Sequence, residues 1–144
     1  MFALGTRLTR LTRHLSSRDP DCAFAAAVTA APDWGGGTRL GPNVRSLLAD
    51  PTTNGLVRGA VVVVVSDGLD RGDPDELSTQ MARLARHAHR LIWVNPLRAG
   101  PGYEPVAVGM RAALPYVDAF VDGHSLDALE NLAEIVAERA GRSS

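Results

Sequence analysis

The most marked feature of the hydropathy pattern is a stretch that does not alternate. Residues 58–67 read R-G-A-V-V-V-V-V-S-D, apolar from Ala60 to Val65. A strand with one wet face alternates polar and apolar residues. This one does not, so both faces are expected to be buried, as in the middle of a parallel sheet. A helix is predicted next. Asp73 is placed to cap it, Pro74 suits its first turn and Glu76 stands at the capping-box position. Leu77, Met81, Leu84, Ala85 and Ala88 then recur at helical spacing. Residues 90–95 (R-L-I-W-V-N) predict a second buried strand stopped by Pro96. Residues 104–114 predict a helix and residues 116–121 a third strand. A last helix starts near Ser125, with Leu129, Leu132, Ala133, Val136 and Ala140 on its apolar face. This alternation predicts an α/β fold, a doubly wound and mostly parallel sheet with helices on both faces.

The first half is less regular. Residues 2–12 predict one or two short strands around Gly5, and residues 21–31 an alanine-rich helix. Residues 32–41 (P-D-W-G-G-G-T-R-L-G) predict a loop running into a helix whose inward face is Leu40, Val44, Leu47 and Leu48. Pro42 falls in the first turn, where proline is tolerated. The 144 residues make one domain, with residues 140–144 as a flexible tail.

Composition narrows the function classes. The 15 basic and 16 acidic residues leave a net charge of -1, which points to neither nucleic acid nor an anionic membrane as partner. All the basic residues are arginine, so Schiff-base chemistry and a P-loop lysine are excluded. The single Cys22 has no internal disulfide partner, which fits a reducing cytoplasm. The run from Ala60 to Val65 is too short to span a bilayer, and no signal-peptide core opens the chain. Charge is polarised along the sequence, with arginines at 7, 10, 13 and 18 and six carboxylates between Asp118 and Glu138. Solvated faces or a docking surface both account for this.

In open α/β sheets, ligands bind beyond the carboxyl ends of the strands. Asp67 follows the valine strand there, and Thr38 follows three glycines at the start of a helix. A carboxylate and a hydroxyl are hard oxygen ligands suited to magnesium, calcium or manganese. Asp67 capping the following turn is an equally good account on sequence alone. The acidic cluster Asp70, Asp73, Asp75 and Glu76 reads mainly as helix capping. His87 and His89 point about 200° apart on a helix and do not share a metal. His14 and His124 have no acid or nucleophile partner in the sequence, and Ser66 lacks a G-x-S-x-G setting. Trp34 and Trp93 read as packing residues.

Several segments together resemble the CoxE-like group of von Willebrand factor A (VWA) domains. They are F-A-L-G-T-R-L-T-R-L-T-R from Phe2, D-W-G-G-G-T-R-L-G from Asp33 and V-V-V-V-V-S-D-G-L-D-R-G-D-P from Val61. H-R-L-I-W-V-N-P from His89, P-G-Y-E-P from Pro101 and G-M-R-A-A-L-P-Y-V-D from Gly109 continue the match. The resemblance implies a metal-ion-dependent adhesion site, where magnesium completes its shell with a partner's carboxylate. By motif position, Thr38 is similar to the family's threonine ligand and Asp67 to its third-loop aspartate. It also implies a non-catalytic protein acting with a MoxR-type AAA+ ATPase. Its implied role is maturation of molybdenum hydroxylases such as aerobic carbon monoxide dehydrogenase.

The sequence departs from that family in lacking its first metal motif, Asp-x-Ser-x-Ser. The chain starts where the family's second strand would stand, so the first strand and helix are expected to be missing. In the family's order, 3-2-1-4-5-6, the gap falls between the Phe2 strand and the valine strand. Three ways of closing it stay open: direct pairing of the flanking strands, a strand from another chain, or a start upstream of Met1. With two side-chain ligands, magnesium is expected to bind weakly or not at all. A small metal-assisted phosphohydrolase using Asp67 and Asp70, and a metal-free scaffold fragment, are the alternatives.

Overall fold

The computed structural model describes residues 1–31, 37–96, 107–123 and 125–138. In chain order these form β1 (Phe2–Leu4), β2 (Leu8–Arg10), α1 (Pro20–Ala30), α2 (Leu40–Ala49), α3 (Pro51–Val57), β3 (Val61–Val65), α4 (Pro74–His87), β4 (Arg90–Asn95), α5 (Val108–Ala113), β5 (Ala119–Asp122) and α6 (Leu126–Ala137). Short 3-10 turns at His14–Ser16 and Leu114–Tyr116 complete the set. The predictions for Trp34, for the glycines at 35 and 36, for residues 104–106, for His124, and for Ala140 and the rest of the tail lie outside the described residues. So does the side chain of Leu129.

Strands β3, β4 and β5 form a parallel sheet in that order, with Val64 beside Trp93 and Trp93 beside Phe120. Side chains alternate between its faces. Val62, Val64, Leu91 and Trp93 pack into one core with α2, α4 and α5, through residues such as Leu40, Leu77, Met81 and Met110. Val61, Ile92, Val94 and Val121 face the other way, against Ala128, Leu132 and Ile135 of α6. The α/β class with helices on both faces of a parallel sheet is therefore present. The predicted inward face of α2 is buried as expected.

Four expectations are corrected. The valine strand is not buried on both faces: Val63 is 37% exposed and Val65 60%. Among the described residues it is the edge of the parallel sheet, and of the three valines on that face only Val61 packs into the cluster beneath α6. Strands β1 and β2 form their own antiparallel hairpin, Phe2 opposite Arg10, and are not strands of the parallel sheet. On α6 the inward residues are Ala128, Leu132 and Ile135, while Ala133 and Val136 are exposed. The helix is rotated so that its apolar stripe meets β4 and β5. Glu76 pairs with Arg45 at 2.8 Å, and Asp73 alone caps α4 through the Asp75 N–H. Helix α3 was not foreseen, although Asp50 caps it and Pro51 opens it.

The hairpin also has a small core of its own, Leu11 with Ala27 and Ala31. Asp19 caps α1 and accepts a bond from the Cys22 thiol. The thiol and the backbone N–H groups of Asp21 and Cys22 hold its carboxyl below the ordinary range.

Trp93 joins core to site. Its ring is fully buried, and its Nε1–H donates to the Ser66 carbonyl at 2.8 Å, fixing the chain just before Asp67. Trp93→Phe should cost about 1–3 kcal/mol by leaving that carbonyl unpaired. Trp93→Ala should cost about 3–5 kcal/mol through the added cavity. Urea denaturation followed by circular dichroism measures both, and equal losses would contradict the separate role of the N–H.

Candidate functional site

The carboxyl end of β3 turns sharply at Ser66, Asp67 and Gly68. Ser66 Oγ accepts the Gly68 N–H at 3.1 Å, and Asp67 Oδ1 accepts the Leu69 N–H at 2.9 Å. The turn-capping account of Asp67 is thus correct for one oxygen. Its Oδ2 makes no hydrogen bond among the described residues. Gly68 has φ +79°, and a Cβ there would lie 2.6 Å from Met110 Cβ. Only glycine combines that backbone with so close an approach to α5.

A second loop faces this turn. Gly37, at φ +85°, lies beneath the Arg71 side chain, whose Cδ would be 2.6 Å from an added Cβ. The Thr38 carbonyl accepts the Arg71 N–H at 2.9 Å. Asp70 Oδ1 accepts the Leu40 N–H at 2.9 Å. Arg39, the residue before α2, gives no side-chain cap, so Asp70 caps that helix from a distant loop. Behind it, the Gly5 carbonyl accepts both the Arg39 N–H at 3.2 Å and Asn43 Nδ2 at 2.8 Å. Hairpin, Thr38 loop and Asp67 loop are bound into one unit by these bonds.

Between the loops is an open pocket of about 430 Å³, lined by Gly37, Thr38, Asp67, Leu69, Asp70 and Arg71. Thr38 and Asp67 therefore share one rim. The oxygens offered are of the hard type, and Asp70 Oδ2 is buried without a hydrogen-bond partner. Arg71, which sequence reasoning did not single out, also lines the pocket, its side chain lying over Gly37. No spacing announces it; its place depends on the bond between its N–H and Thr38. Among the described residues, no group of three or more His, Cys, Asp or Glu side chains is arranged to hold a metal ion. The donor chemistry suits a hydrated hard cation, and the donor number suits only a loose one.

Asp70→Ala should cost about 1–2 kcal/mol, as the loss of a helix cap does, and should loosen the Thr38 loop. Asp70→Asn, which keeps an acceptor, should cost less. Urea denaturation and the hydrogen-exchange rate of the Leu40 amide check this; unchanged exchange in Asp70→Ala would remove Asp70 from its bridging role.

Comparison with known proteins adds one match. A family model described as VWA domain containing CoxE-like protein matches residues 1–129. No curated protein and no solved structure matches the chain.

Proposed function

Because the chain belongs to the family of VWA-domain-containing CoxE-like proteins, we propose that it is a non-catalytic accessory domain whose contact site is the pocket holding Thr38 and Asp67. VWA domains mediate protein interactions, and no helix among the described residues is long and apolar enough to cross a membrane. The proposed partners are a MoxR-type AAA+ ATPase and a molybdenum hydroxylase of the carbon monoxide dehydrogenase type, met in the cytoplasm during maturation. The observation that carries the reading is the convergence of Thr38 and Asp67 on one rim at the carboxyl end of β3.

In this reading Thr38 Oγ1 and Asp67 Oδ2 hold a magnesium ion that is otherwise hydrated, and a partner's carboxylate completes its shell. Magnesium keeps several waters readily, so two protein oxygens give weak binding. Arg71 weakens it further, because its positive charge offsets one of the two carboxylates lining the pocket.

Isothermal titration with magnesium tests the electrostatics. The chain should bind weakly, Asp67→Ala should abolish binding, and Arg71→Gln should tighten it by about three- to tenfold, as a Coulomb term of roughly 1 kcal/mol near a surface gives. Capture of the ATPase or the target enzyme should fall in Thr38→Ala and Asp67→Ala. Unchanged capture in both variants would refute the contact site.

A further inference from the structure

Two glycines meet where α5 passes the Asp67 turn, and the backbone explains only one of them. Gly68 needs glycine for its φ of +79°. Gly109 lies inside α5 and has no such φ, at a position where glycine is a poor helix residue and alanine a good one.

Space accounts for Gly109. A Cβ there would lie 2.6 Å from the Gly68 carbonyl oxygen and 3.0 Å from Asp70 Cβ. The nearer of these is backbone, which has no rotamer to escape into, so any side chain at 109 forces the two segments apart.

Packing decides which segment yields. Helix α5 is anchored: Met110 and Ala113 are fully buried in the main core with Leu77 and Met81 of α4. The turn after α5 is tied to the same helix, Tyr116 Oη lying 3.0 Å from Ser78 Oγ. The loop is held less firmly. Leu69 is exposed, Asp67 and Asp70 are half-buried, and an open pocket lies beside them. A methyl group at 109 therefore moves residues 67–70 and leaves α5 in place. Those residues order the rim, because Asp67 Oδ1 holds the Leu69 N–H and Asp70 Oδ1 holds the Leu40 N–H, two residues beyond Thr38.

We propose that Gly109 is a positioning residue of the contact site: its bare Cα lets α5 abut the Gly68 carbonyl and thereby sets Asp67 and Asp70 in register with Thr38. This rests on the reading of Thr38 and Asp67 as the contact site. It extends that site to a helix that supplies none of its described lining residues.

Amide hydrogen exchange on the intact chain, read residue by residue by nuclear magnetic resonance, tests the coupling. In Gly109→Ala the Leu69 and Leu40 amides should exchange about tenfold faster, as local opening without global unfolding gives. The Trp93 and Val94 amides of β4 should keep their rates. Arg111 is exposed and lies about 200° around the helix from Gly109. Arg111→Gly weakens α5 without reaching the loop, so it should leave the Leu69 and Leu40 amides unchanged. Magnesium titration is the second readout, and the affinity should fall severalfold in Gly109→Ala. Unchanged exchange at Leu69 and Leu40, or equal acceleration in Arg111→Gly, would overturn the proposal. So would loss of the cooperative fold in Gly109→Ala, because the loop would then not be the part that yields. Magnesium binding lost in Asp67→Ala but intact in Gly109→Ala would remove the positioning role alone. Binding indifferent to both would remove the contact site, and the exchange rates would still decide whether α5 sets the loop.

Discussion

Strand β4 has a parallel partner on each edge and helices over both faces, and Leu91, Ile92, Trp93 and Val94 are each no more than 3% exposed. A strand so enclosed can carry no charge along its centre, and it fixes the height and register of both neighbours. The enclosure is unequal on the two sides. Among the described residues, β5 ends the sheet with α6 packed close by, while no strand pairs with the outer edge of β3 and Val63 and Val65 are exposed. Strand β3 is the strand that leads into the candidate site at Ser66, Asp67 and Gly68.

The site is a product of tertiary bonds more than of local sequence. Thr38 stands where it does because the Arg71 N–H holds its carbonyl and Asp70 holds the Leu40 N–H beyond it. Asp67 stands where it does because Trp93 fixes Ser66 and because Gly68 lets the chain turn against Met110. The same set of bonds brings Arg71 to the rim. The pocket is lined by two carboxylates and one guanidinium.

Much of this was legible in the sequence, and the failures have identifiable physical causes. The β4 run, the capped start of α4 and the inward stripe of α2 were read correctly, since each depends on periodicity or on capping within a few residues. The placement of Thr38 and Asp67 on one rim followed from where ligands lie in parallel sheets. The valine run misled, because five β-branched apolar residues state how well a strand tolerates burial and not whether anything covers it. The face of α6 was misjudged by about one residue position, as happens where Leu132, Ala133, Ile135 and Val136 offer two nearly equal stripes. Asp70 passed as one member of an acidic cluster, since no local pattern shows that a side chain caps a helix thirty residues earlier. Arg71 was invisible for the same reason.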